Sequence, residues 1–150
     1  MTQESLEAEY LEILDLAQQL AQQAGVIQRQ RYETQLDVRT KSASIDLVTE
    51  VDGECEALIV AGIQAARSGD AILAEEVGGE DHGKSPWRWV IDPLDGTTNY
   101  AHGFPRFCVS IGVEHLGQAS VAAIYDPLLD ELFHAVRGGG AWLGERRLQV

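Results

Sequence analysis

At 150 residues and 45% hydrophobic, the chain is long enough to bury a substantial core and to form a single domain. Eleven basic and twenty-four acidic residues give a formal net charge of −13, which repels nucleic acid and anionic membrane surfaces. Cys55 and Cys108 stand alone, without spacing for zinc or redox work, and neither a leader-like start nor a membrane-length apolar run is present; the expectation is a reducing, cytoplasmic setting.

In chain order, Leu6, Tyr10, Ile13, Leu14, Ala17, Leu20, Ala21, Ala24 and Ile27 recur at helical spacing and predict a first long helix. A polar connection is expected over residues 31–44. Thr49-x-x-Asp52 then has the form of a capping box before a second helix, whose apolar positions include Val51, Cys55, Leu58, Ile59 and Ile63 and which ends near Gly69. Helix capping is therefore one full reading of Asp52.

Strand patterns follow. Residues 71–74 form an apolar run ending in Glu75 and Glu76, and residues 87–91 form a β-prone run ending in Asp92. Pro93 is expected to stop that strand, and Gly96 to permit a tight turn that aims Asp92 and Asp95 to one side, with a short helical turn beginning at Gly96. Free N–H groups at such a turn suit phosphate oxygens. As a fragment, Asp-Pro-x-Asp-Gly is also ordinary turn chemistry, and Glu75 and Glu76 equally read as the start of a solvated loop. Two strands that both end in acid weigh against coincidence, and if they are neighbours Glu75, Asp92 and Asp95 converge. Bare carboxylates about 4 Å apart repel by roughly 4 kcal/mol at an effective dielectric near 20, so a converging set needs cations. Oxygen donors alone favour a hard ion such as Mg²⁺. Cations bridging an acidic protein and an anionic substrate also fit the charge balance.

Residues 107–113, 120–125 and 131–136 read as three further strands joined by short turns, an antiparallel meander. The glycines from Gly138 to Gly144 follow no βαβ pattern and open no helix, so they read as a hairpin connection, not a nucleotide loop. His82, His102, His115 and His134 lack ligand spacing. Helices first and strands later indicate an α+β layered sandwich, two N-terminal helices on one face of a largely antiparallel sheet.

Residues 41–52 with their D-L-V-T-x-x-D pattern, Glu75-Glu76, W-V-I-D-P-L-D-G-T-T-N-Y from Trp89, residues 103–112 and residues 138–144 together resemble the inositol monophosphatase family of lithium-sensitive, metal-dependent phosphatases. The resemblance covers nearly the whole chain and implies the N-terminal half of the sugar-phosphatase fold, with residues 1–150 as one metal-binding part. It implies that Glu75, Asp92, Asp95 and the carbonyl of Leu94 hold two or three Mg²⁺ ions. Thr97 with Asp52, alongside Glu75, would orient and activate the attacking water, and Gly96, Thr97 and Thr98 would donate to the phosphate. The implied reaction is hydrolysis of a small phosphate monoester, foremost myo-inositol monophosphate. Histidinol phosphate, fructose bisphosphate and phosphoadenosine phosphate are alternatives, as is a non-catalytic metal-binding or interaction fragment. A homodimer is implied at full length. The family pattern also includes a Trp-Asp ligand segment in its later half; no such dipeptide occurs here, so the expectation is an incomplete site.

Overall fold

A computed structural model describes residues 1–34, 41–74 and 84–149. Among the described residues, two long helices, α1 (Gln3–Thr34) and α2 (Lys41–Ala66), precede seven strands and one short helix, α3 (Thr97–Ala101). The strands are β1 (Ala71–Leu73), β2 (Trp87–Asp95), β3 (Cys108–His115), β4 (Gln118–Asp126), β5 (Glu131–Val136), β6 (Gly140–Leu143) and β7 (Arg146–Arg147). They form one sheet in chain order, parallel only between β1 and β2.

Alternation dictates which face of the sheet is covered. Trp87, Trp89 and Ile91 of β2, Val109, Ile111 and Val113 of β3, and Val121, Ala123 and Tyr125 of β4 are all buried, as period-two patterning requires. They meet the α1 stripe of Tyr10, Ile13, Ala17, Leu20, Ala21 and Ala24, and Val51, Cys55, Ile59 and Ile63 of α2. The expected α+β arrangement with both helices against the sheet is therefore present. Small residues on α1 allow the close approach: a Cβ at Gly25 would lie 2.4 Å from the Tyr125 ring.

Four expectations are corrected. The second helix begins at Lys41, not after Thr49; no Gly or Pro separates Lys41 from Val51, so nothing interrupts helical hydrogen bonding, and Leu47 and Val51 supply a buried face. Thr49 and Asp52 consequently lie inside α2, and Asp52 is not part of a capping box. The connection expected over residues 31–44 is correspondingly shorter, since α1 runs to Thr34. Pro93 does not end β2: pairing runs from Asp92↔Ser110 to Asp95↔Cys108, three steps on β2 against two on β3. The missing N–H of Pro93 falls in this bulge, where a proline is tolerated within a sheet. Finally, the glycine-rich segment contains strand as well as turn, because β6 starts at Gly140 and pairs with β5 and β7.

Candidate functional site

The β2–α3 connection gathers most of the sequence-nominated residues. Asp92, Leu94 and Asp95 occupy the bulge, Gly96 is the N-cap of α3, and Thr97 and Thr98 open that helix. Asp92 is half-buried with its Oδ1 atom fully enclosed, whereas Asp95 faces solvent. Leu94 is buried, Thr97 half-buried and Thr98 exposed. Gly96 has φ of 90°, and a Cβ there would stand 2.9 Å from the Arg106 carbonyl oxygen; both the left-handed backbone and the close approach require glycine. Its own carbonyl accepts the Tyr100 N–H at 2.9 Å, and no side chain caps the helix.

The short helix is fixed from below by aromatic packing. Tyr32, Tyr100 and Phe107 have ring centroids 4.7 to 5.5 Å apart. Tyr32 donates to the Gly103 carbonyl at 2.7 Å and Tyr100 to the Gln28 carbonyl at 2.8 Å. Burial pushes the Tyr100 hydroxyl well above the usual tyrosine range, so it remains a donor. From within the helix, Asn99 donates its side-chain amide to the Arg106 carbonyl on the loop beyond at 2.9 Å.

Cys108 adjoins the carboxylates, with Sγ 3.7 Å from Asp95 Oδ2. Burial first, and then the charge of Asp95, push this thiol up to about 12, so it stands beside the carboxylates as a neutral group. Asp52 lies elsewhere in sequence, half-buried on α2. That helix packs on α3, the helix that Thr97 opens.

The expected meeting of two acid-ended strands holds in direction: β1 and β2 run parallel, with Leu73 beside Val90. Glu75 and Glu76, and with them the expected ligand and catalytic role of Glu75, lie outside the described residues. Among the described residues no group of three or more His, Cys, Asp or Glu side chains is gathered as for a metal. Asp92 and Asp95 supply two carboxylates from one turn, an all-oxygen donor set suited to a hard cation that draws further donors from elsewhere. A cavity of about 430 Å³ lined by Ser85, Trp87, Arg88 and Glu114 lies at the opposite end of β2. Its lining has no converging carboxylates, so chemistry and not concavity locates the candidate site.

Sequence reasoning missed Gln28, Tyr32, Tyr100 and Phe107 as parts of the site's frame. A signal for Gln28 exists: it follows Ala24 by four and Ala21 by seven, which puts an amide on the apolar stripe. Among the described residues no helix is long and apolar enough to cross a membrane.

The sequence signature described as the inositol monophosphatase family matches residues 9–150. A Nus factor SuhB of Vibrio cholerae is 44% identical over 140 residues, covering 92% of this chain and 52% of that protein. An inositol-1-monophosphatase of Mesorhizobium japonicum is 43% identical with the same coverage. Among solved structures, the extragenic suppressor protein suhB of Bartonella henselae superimposes with a TM-score of 0.82 at 35% identity, over 93% of this chain and 54% of that one. Inositol monophosphatase from Anabaena gives 0.80 at 38% identity, over 93% and 50%. The chain spans about half the length of the curated relatives it matches.

Proposed function

The chain belongs to the inositol monophosphatase family, and from that premise we propose that residues 1–150 form the metal-binding part of a Mg²⁺-dependent phosphatase acting on a small phosphate monoester, foremost myo-inositol monophosphate. The observation that carries this reading is the D-P-L-D-G-T-T run lying on a bulged strand end that turns directly into a short helix. Asp92, Asp95 and the Leu94 carbonyl, together with Glu75, would hold two or three Mg²⁺ ions. Bound metal would neutralise charge on the phosphate and favour attack by water at neutral pH, the two demands of a very slow uncatalysed hydrolysis. Thr97 with Asp52 orients the attacking water, while N–H groups of Gly96, Thr97 and Thr98 donate to the phosphate oxygens. Thr97 has no histidine or lysine assigned to take its proton, so water attacks directly and no covalent intermediate forms.

The name Nus factor belongs to the relative that bears it; a net charge of −13 lends no support to nucleic-acid contact by this chain. The test is phosphate release from inositol monophosphate with and without Mg²⁺, by this chain and by one extended to the length of its relatives. Mg²⁺-dependent release by the extended chain is expected; Mg²⁺ binding without turnover by either would favour a non-catalytic metal-binding role. Asp92→Asn should weaken Mg²⁺ binding more than about tenfold by calorimetry, since a charged ligand is lost, and unchanged affinity would remove Asp92 from the ligand set.

A further inference from the structure

We infer that Gln28 of α1 is the positioning residue of the Asp92–Asp95 bulge, a role that rests on the reading of that bulge as the cation site. Its side-chain Nε2 donates to the carbonyl of Pro93 at 2.8 Å and to the carbonyl of Cys108 at 3.1 Å. One acceptor is on β2 and the other on β3, so a single amide staples the two strands where their register slips. Asp92 directly precedes the stapled Pro93, and Asp95 follows it by two residues.

The orientation of this amide follows from its surroundings. Exchanging the oxygen and nitrogen would set Oε1 against two carbonyl oxygens, a repulsive arrangement. In the orientation found, Oε1 is buried and has no hydrogen-bond partner among the described residues. Gln28 is wholly enclosed, and an orphaned acceptor in such a place opposes folding. A residue of similar shape and no polar atoms would fill the space without that penalty, so packing alone does not account for glutamine here. Its two donated hydrogen bonds do. The backbone carbonyl of the same residue accepts the Tyr100 hydroxyl at 2.8 Å. Gln28 therefore holds both flanks of Gly96: the bulge with Asp92 and Asp95, and the helix that begins with Thr97 and Thr98.

The experiment is amide hydrogen exchange on Gln28→Met, which conserves volume and removes both donors and orphan. The Tyr100 and His102 amides, bonded to the Gly96 and Thr98 carbonyls, should exchange roughly tenfold faster once the staple is gone. The Leu116 and Arg137 amides, bonded to Pro86 and Ser120, should keep their rates, and the half-saturating Mg²⁺ concentration should rise several-fold. Unchanged exchange at Tyr100 and His102, or uniform acceleration throughout, would overturn the proposal. As a check that needs no variant, the Gln28 side-chain NH₂ protons in the natural chain should exchange slowly in NMR spectra and shift on Mg²⁺ addition; rapid exchange there would overturn it too. If Mg²⁺ shifts no resonance anywhere, the metal reading of the bulge fails, and exchange in Gln28→Met still decides whether Gln28 holds it.

Discussion

The two ends of β2 are built on opposite plans. At its start, Asp70 accepts hydrogen bonds from Ser85 Oγ at 2.6 Å and Trp89 Nε1 at 3.0 Å and pairs with Arg67. Arg67 also pairs with Glu9 at 2.9 Å and lies 5.5 Å from the Trp87 ring centre. Burial pulls the Arg67 guanidinium down, but Asp70 and Glu9 outweigh it and hold the value above its ordinary one. Charge is answered there by charge and aromatic face. At the other end, two carboxylates emerge on a bulge backed by a neutral thiol and a buried amide with one acceptor unanswered. In charge, the first end is closed and serves the fold; the second keeps the Asp95 carboxylate at the surface, as the proposed cation site would require.

That contrast can be broken most sharply at the closed end. Asp70→Ala leaves the buried Trp89 Nε1 without this acceptor and Arg67 with Glu9 as its remaining carboxylate, and should cost about 3 kcal/mol or more in urea unfolding without altering Mg²⁺ affinity. A loss below about 1 kcal/mol would mean the Asp70 cluster is surface decoration. At the open end, Gly96→Ala should cost about 3 kcal/mol, from left-handed strain of about 1–2 kcal/mol plus the contact with the Arg106 carbonyl. A near-neutral result in the same unfolding experiment would show that the turn can relax. The most gradual effect is expected in alkali. Cys55, Cys108 and Tyr125 are all pushed up to about 12, each by burial first. These groups are neutral when protonated, and the folded chain holds their protons more tightly than the unfolded one. Their contribution is complete below the ordinary thiol and phenol values and is lost as pH rises toward about 12. Unfolding free energy measured from about pH 8 to about pH 11 should therefore fall, and Cys108→Ala should flatten the slope. An unchanged slope would mean Cys108 is already open to solvent.

The sequence was readable where one periodicity ruled. The α1 stripe and the alternation in β3 and β4 answer to a single buried face, and the turns at residues 116–117 and 127–130 fall where expected. It was misread where tertiary context decides. Thr49 and Asp52 have capping chemistry, but packing of Leu47 extends α2 past them. Pro93 looked like a stop because a bulge cannot be seen from one strand. Strands β6 and β7 were hidden by their brevity and by turn glycines such as Gly144, with φ of 56°. For the candidate site, the placement of residues 92–98 on a strand-to-helix turn was legible from Asp-Pro-Leu-Asp-Gly-Thr-Thr. Its support was not, because Gln28 lies 65 residues from Pro93 and no local rule joins them.

Strand order equals chain order across the whole sheet, which bears on how the molecule assembles. Neighbouring antiparallel strands from β3 onward meet across short turns, whereas Gln28 reaches a carbonyl 80 residues away at Cys108. Closing longer loops carries a larger entropic cost and slows formation of the contacts they bring. In pulse-labelled exchange during refolding, amides of β3 and β4 should gain protection before those of Tyr100 and His102; simultaneous protection would mean that sheet closure and helix docking are one event. On the expected order, α1 is synthesised before every strand of the sheet yet is among the last elements to be seated, and the carboxylate turn takes its final shape only on its arrival.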